Sequence, residues 1–446
     1  MARKEALIKR LIRGITRLYW ATVSRYRARF GQSFEADPDR PWLDEYTLFN
    51  IPATLEPYPN VPLHQFLRDA AADHPDNGLI QLDELITYPT LLEHAERLAT
   101  ALEDRGVRPG DRVASILPTS VQFVIVDAAV SMAGAVHVPN DTIIARDDLQ
   151  YRLEESEPTV LVCDEAHRTL GTDLASSVGV DQLVLTALED YSGDPPEHDP
   201  LPDAEWLTDL IATSPRDPPA ISIDPVEDVH TLLFTGGTTG RPKGVLLTHR
   251  NLVANVLQTN SLSSGVSMGG SSTSLLAQPL YHAYGYTAMH ARIANGGSVA
   301  LVADARDVEA MASLITEHGI RLVSGVPTQF MNLLEKDLDR KLIAISGSAP
   351  LADEVRTAFS EDHIGITQGY GLSEMSPVTH VDIRGLIDSL TDSETSSDRF
   401  DHPCIGIPVP DTQVELIDTD TRERIPSRRP SPRNGQARCF STAPSG

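Results

Sequence analysis

Apolar runs short enough for strands alternate with helical patterns across residues 62–185, and the alternation resumes at Val229. A chain that repeats strand then helix is restricted to parallel sheets with helices on both faces. Residues 91–105 carry apolar side chains at helical spacing, and the turn Arg108-Pro109-Gly110-Asp111 follows. The pattern then predicts strands over 112–117, 135–139 and 159–163, with helices over 121–133 and 149–156. Later strands are expected at Leu275, 298–302, 321–325 and 341–346. An acidic, Pro-rich stretch over 189–217 reads as a surface loop. Residues 413–418 alternate like a strand of a separate β subdomain. The length of 446 residues allows one large layered unit or two to three subdomains. The fold class is α/β.

Residues 234–245 read FTGGTTGRPKGV. Glycine loses too much backbone entropy in a helix or central strand for this run to be either, so it is a loop. The apolar segment 229–234 before it reads as a buried strand. VLLTHRNLVANV after it reads as a short strand entering a helix capped near Thr248 or Asn251. Strand, Gly/Thr loop and helix make a cradle for phosphate: backbone N–H groups and hydroxyls point at the anion, and lysine adds charge. The Walker pattern is excluded, because Arg241 and Pro242 separate Gly240 from Lys243, and Gly244 follows.

Three more stretches follow in order. Residues 278–286 read QPLYHAYGY, 346–351 read SGSAPL, and 368–377 read QGYGLSEMSP. With the Gly/Thr stretch, they resemble the motif set of the adenylate-forming superfamily of acyl-CoA synthetases, luciferases and adenylation domains. The resemblance spans residues 40–425. Gly236-Gly237, PLYHAYG, the CIGIPVP stretch at 404–410, and Pro41-Trp42-Leu43 with Tyr46 are similar to the long-chain fatty acyl-CoA synthetase branch.

That resemblance implies the family's large N-terminal domain, with two layered βαβ subdomains and a partial β-barrel subdomain. The divisions expected are 1–57, 58–225, 226–380, 381–425 and an atypical tail at 426–446. It implies a two-step reaction using ATP, Mg²⁺ and coenzyme A on a fatty acid, with an aryl or other carboxylic acid as the alternative. A nucleotide-binding protein without activity is the alternative of another class. Thr235, Gly236, Gly237, Thr238, Thr239 and Gly240 would hold the β- and γ-phosphates, and Lys243 would assist as a mobile cation. Glu374 would be the magnesium ligand, and Ser373 would donate to the α-phosphate. Gly347, Ser348, Ala349 and Pro350 would shape one side of the purine slot. Gln368, Gly369, Tyr370 and Gly371 would form the other, with the Tyr370 ring stacking on adenine. His282 would sit at the carboxylate or at the mouth of the acyl tunnel. Gly285, Met289 and Val326 are candidates for the acyl pocket.

Charge bears on partners. The net charge is −26, with five lysines among thirty-seven basic residues. Such a surface argues against nucleic-acid binding and suggests a salt-loving host. Cys163, Cys404 and Cys439 have no CxxC spacing, which points to a reducing cytoplasm without a disulfide framework. The apolar run over 123–139 is interrupted by Asp127 and His137, so it reads as core and not as a membrane span.

The two ends differ from the middle. Nine basic residues lie between Arg3 and Arg29 against the single acid Glu5, with Leu7, Leu11, Ile15 and Leu18 at helical spacing. Residues 1–30 read either as an interfacial helix at an anionic membrane or as a helix on the protein's own acidic body. The tail 426–446 holds four arginines, four prolines and four serines and no acid. The family resemblance implies a ribose-holding aspartate and a small domain with a second lysine there. Neither has a counterpart in the tail, and the expectation is a reading frame shifted near Thr421 and an impaired second step.

Overall fold

The computed structural model describes residues 40–235, 240–263, 273–336, 338, 342–352, 355, 358–359, 365–383, 405–418 and 420–424. The basic segment 1–30, the tail 426–446, and Gly236, Gly237, Thr238 and Thr239 lie outside them.

The fold is mixed α/β with two sheets that are mostly parallel. The chain opens the first sheet with β1 (Gly78–Gln81) and β2 (Glu84–Thr87). It then builds the second sheet from β3 (Arg112–Ile116), β4 (Val136–Asn140), β5 (Val160–Asp164), β6 (Gln182–Thr186), β7 (Glu205–Trp206), β8 (Val229–Thr235) and β9 (Lys243–Thr248). The return to the first sheet uses β10 (Ser274–Leu276), β11 (Val299–Leu301), β12 (Leu322–Gly325), β13 (Ile343–Ser346), β14 (Gly365–Gly371), β15 (Val378–Val381) and β16 (Ile407–Pro408). The second sheet has the order β7-β6-β5-β3-β4-β8-β9, and only β8 and β9 pair antiparallel. The first runs β16-β15-β14-β13-β12-β10-β11-β1-β2.

Local chemistry explains the helices between the strands. Helix Tyr88–Asp104 starts where the Thr87 side chain accepts from the Thr90 N–H, with Pro89 in its first turn. The chain leaves it through the turn at 108–111, where Asp111 Oδ2 accepts from the Arg108 N–H at 2.8 Å. Gly110 there has φ +86°, which glycine adopts without a Cβ clash. Helix Val121–Met132 is capped by Ser120 and buried on every side. Phe123, fully enclosed in that core, is the kind of residue whose truncation to Ala costs about 3–5 kcal/mol. Among the described residues no helix is long and apolar enough to cross a membrane.

Four expectations change. The short strand expected after the Gly/Thr loop is β9, but it does not simply lead the loop into a helix: β8 and β9 are the two arms of an antiparallel hairpin, with Thr235 opposite Lys243. Helix His249–Ser263 begins only after β9, so its N-terminal dipole is a full strand away from the loop. Leu247 is buried and Leu246 exposed, the alternation of a half-buried edge strand. Secondly, residues 189–217 are not merely a surface loop. Trp206, Leu207, Leu210 and Ile211 are buried, and helix Leu207–Thr213 packs on helix Tyr88–Asp104. The acidic and Pro-rich flanks obscured that apolar face.

Thirdly, residues 413–418 form no strand beyond an isolated bridge between Ile417 and Arg424. No closed or separate barrel is present among the described residues: β15 and β16 continue the first sheet antiparallel. Finally, the division at 225/226 does not separate the sheets. β1 and β2 belong with the later strands, and β8 and β9 belong with the earlier ones.

Candidate functional site

Ligands of open α/β sheets bind beyond the carboxyl ends of the strands. β13 and β14 run parallel, with Ser346 paired to Gln368. The turn holding Gly347, Ser348, Ala349 and Pro350 therefore emerges beside Gly369, Tyr370 and Gly371. Gly347 is buried, while Ser348, Ala349 and Pro350 are exposed. Gln368 joins the two segments, its Oε1 accepting from the Leu351 N–H at 3.2 Å.

Two glycines here are required by close approach. A Cβ on Gly347 would stand 2.7 Å from the Tyr284 ring. One on Gly371 would meet the Pro377 carbonyl oxygen at 2.0 Å. Tyr284 is held against this turn by its hydroxyl, which donates to the Ile345 carbonyl at 3.0 Å. Burial raises the Tyr284 pKa, so the ring is a neutral phenol.

After β14 the chain makes a tight reversal. Ser373–Met375 form a single 3-10 turn, and the Leu372 N–H donates to the Pro377 carbonyl at 2.9 Å. Ser373 is half-buried and Glu374 exposed. The reversal is anchored from two helices. Asn255 grips Val378 twice, donating to its carbonyl at 2.7 Å and accepting from its N–H at 3.0 Å. Thr287 donates to the Ser376 carbonyl at 2.9 Å. Behind it, the Tyr370 ring meets His380 edge-on, with 6.0 Å between centroids. Burial lowers the His380 pKa to about 4.

The hairpin arrives from the other sheet. β9 packs against the Ser373–Met375 turn, so the strand that begins with Lys243 adjoins the segment holding Ser373 and Glu374. Lys243 and Gly240 are exposed, and Thr235 Oγ1 reaches the Lys243 carbonyl at 3.4 Å. Exposed Tyr370, Leu372, Met375 and Leu246 give this mouth an apolar rim.

His282 precedes helix Ala283–Ala294 and stands edge-on to Tyr281 at 4.8 Å. It keeps an exposed surface, yet the packed surroundings of the ring lower its pKa, with Asp141 opposing and Arg152 assisting. The acyl-pocket candidates divide. Gly285 packs on the Pro279 backbone and Met289 is sealed in the core, while Val326 is half-buried beyond β12.

Of the residues singled out in the sequence, the structure thus gathers two groups. Gly347, Ser348, Ala349, Pro350, Gln368, Gly369, Tyr370 and Gly371 form one shelf. Ser373 and Glu374 follow the shelf in the turn against which β9, the strand begun by Lys243 opposite Thr235, packs. Asn255, Thr287 and Tyr284 were not singled out as site residues. Tyr284 lay inside a quoted motif, but Asn255 reads as an ordinary polar helix position until its partner 123 residues away is known.

Known proteins resemble this chain in sequence and in fold. Residues 67–435 match the AMP-binding enzyme family. The chain is 32% identical over 365 residues to a long-chain-fatty-acid–CoA ligase of Bacillus subtilis, covering 76% of this chain and 64% of the relative. It therefore spans less than two thirds of that protein. A feruloyl-CoA synthase of Amycolatopsis is 29% identical over 303 residues, covering 66% of this chain and 55% of its own length. The crystal structure of ATP-bound MatB from Rhodopseudomonas palustris superposes with a TM-score of 0.67 at 26% identity, covering 82% of this chain and 68% of that one.

Proposed function

From the premise that this chain belongs to the AMP-binding enzyme family, we propose that it activates a carboxylic acid with ATP and transfers the acyl group to coenzyme A. The acid proposed is a long-chain fatty acid, by likeness to the Bacillus ligase. In the first step a carboxylate oxygen attacks the α-phosphorus of ATP, and the bond to pyrophosphate breaks. In the second the coenzyme A sulfur attacks the acyl carbonyl, and AMP leaves.

One observation carries this reading: the packing of β9 against the Ser373–Met375 turn at the end of the β13–β14 shelf. It supports a reading in which a cationic hairpin, a hydroxyl and a carboxylate would surround one mouth, beside a slot for a flat base. Two anions must meet in the first step, so charge neutralisation and alignment dominate its barrier. Lys243 would neutralise phosphate, with Thr235, Gly236, Gly237, Thr238, Thr239 and Gly240 supplying donors. Ser373 would donate to the α-phosphate. Tyr370 and the Gly347–Pro350 turn would hold the adenine between them, with Tyr284 as the wall behind. His282 would orient the carboxylate.

The residues fit Mg²⁺. Glu374 is an exposed carboxylate next in sequence to Ser373, and Mg²⁺ favours one or two carboxylates completed by phosphate oxygens and water. When bound, the ion would neutralise phosphate charge.

The test is palmitate-dependent pyrophosphate release from ATP. We expect release, lowered about 10²-fold or more in Lys243→Ala and Glu374→Ala. Ferulate in place of palmitate separates the aryl alternative, which the feruloyl-CoA synthase likeness brings forward. A folded chain that releases pyrophosphate with neither acid overturns the proposal.

A further inference from the structure

A buried charge is costly unless its neighbours compensate it closely, and the polar cluster that joins the two sheets does this for itself. Asp127 on helix Val121–Met132 faces His137 of β4 at 2.8 Å and His230 of β8 at 3.3 Å. From helix Ala283–Ala294 it meets His290 at 3.2 Å and accepts from the Tyr286 hydroxyl. All five residues are buried.

One half-buried cation beside the hairpin is not compensated in this way. Arg152 Nε is enclosed and makes no hydrogen bond, and among the described residues its guanidinium forms no ion pair. Burial lowers its pKa, with Asp141 and Asp148 opposing from a distance. What Arg152 does touch is a ring: its guanidinium lies over Phe234, 5.5 Å from the centroid. The residue beside it, Tyr151, takes the reverse contact, with the Arg241 guanidinium over its ring at 4.8 Å. A cation within about 6 Å of a ring centroid is attracted by the negative face of the ring.

Two consecutive residues of helix Arg146–Ser156 therefore reach both arms of the hairpin. Phe234 is the penultimate residue of β8, and Arg241 stands two residues before Lys243, where β9 begins. The helix is a firm support. Leu149 and Leu153, one turn apart, are buried with Leu161 of β5, and Leu232 and Phe234 of β8 pack against the same cluster. The hairpin needs such support. Phe234 pairs across the strands with Gly244, so β9 offers the ring no side chain, and Arg152 covers it instead.

We propose that Tyr151 and Arg152 are positioning residues of the phosphate hairpin: by holding Arg241 and Phe234 they fix the ends of β8 and β9 where Thr235 and Lys243 meet the triphosphate of ATP. This rests on the adenylation reading above and extends it to two residues that touch no substrate. The Arg152 charge, left without a paired carboxylate, also adds to the positive field around that anion.

The experiment uses the full chain carrying Tyr151→Leu, Arg152→Leu or both. Hydrogen exchange without nucleotide should quicken over 229–235 and 240–248 and stay unchanged in β3 to β5. ATP affinity, read by equilibrium dialysis, should fall about 2–5-fold in each single variant and about 5–20-fold in the double. In pyrophosphate release, KM for ATP should rise while KM for palmitate holds. Tyr151→Phe and Arg152→Lys, which keep the ring and the charge, should recover most of the affinity. Arg146→Gln, which breaks an exposed ion pair with Asp173 on the same helix, should leave hairpin exchange at the parent's level. Arg241→Leu removes the Tyr151 contact from the exposed side and decides the matter if Tyr151→Leu does not fold. Where both fold, Tyr151→Leu should add nothing to Arg241→Leu. A folded double variant with unchanged hairpin exchange, or with quickened exchange and unchanged ATP affinity, overturns the proposal. A wild-type chain that binds no ATP overturns the adenylation reading instead, and exchange in the variants then decides the anchoring.

Discussion

The mouth formed by the hairpin and the Ser373–Met375 turn differs sharply from the Asp127 cluster. At the mouth, Lys243 and Glu374 stand in solvent, and Tyr370 and Leu372 are 42% and 49% exposed. In the cluster a carboxylate, three imidazoles and a phenol are shut away from water. Groups that must meet a soluble substrate stay hydrated until it arrives, so removing one changes activity more than stability. Groups sealed in the core hold one another, so removing one leaves the rest unsatisfied.

The contrast can be broken or sharpened experimentally. The largest effect on folding is expected for Asp127→Ala, which strands His137, His230, His290 and Tyr286 around a missing acceptor. Urea unfolding should show a loss of about 3–5 kcal/mol. A loss below 1 kcal/mol would mean that the cluster does not hold the sheets together.

Glu374→Ala should do the opposite. Its pyrophosphate release should fall about 10²-fold, while its stability stays within about 0.5 kcal/mol of the parent. Comparable damage to both would erase the distinction between the regions.

Asn255→Ala lies between the extremes. It removes both hydrogen bonds to Val378 and leaves two backbone groups wanting, for about 1–3 kcal/mol. Because Val378 ends the reversal carrying Ser373 and Glu374, kcat should fall as well. Asn255→Asp, which keeps the acceptor alone, should recover part of the stability.

At neutral pH the smallest effect is expected for His380, whose contribution shows only as a pH dependence. His380 has its pKa lowered to about 4 from the ordinary 6.5 by burial. The unfolded chain takes up this proton first, so the contribution is complete above 6.5 and declines as pH falls toward 4. His380→Gln should flatten that part of the stability profile. An unchanged slope between pH 6.5 and 4 would mean that the imidazole titrates as if exposed.

Much of the fold was legible because strand and helix periodicities are local. Helix Val121–Met132 and strands β3 to β5 lie within a residue or two of their expected places. The misreadings share a cause. The helix over 207–213 was concealed by acidic and Pro-rich neighbours, and its apolar face matters only once helix Tyr88–Asp104 and strands β6 and β7 pack against it. The stretch 413–418 alternates correctly but forms no pairing beyond the isolated bridge of Ile417 with Arg424, and alternation without a partner strand does not make a sheet. The hairpin was half legible: both arms were read as strands, but not their pairing with each other. In the candidate site, Gly347 stood out as a turn residue, whereas the ring that requires a glycine there lies 63 positions earlier in Tyr284.

By itself the sequence determined the alternating α/β pattern, the Gly/Thr loop, and the motifs that identify the family, since each depends on neighbours along the chain. The tertiary structure decided that β9 would pack against the turn holding Glu374, that Asn255 would hold Val378, and that Asp127 would meet His230 and His290. Those meetings join residues scores of positions apart. Burying a carboxylate is tolerable only where several distant donors arrive at one point, and only the packing of two sheets brings them there.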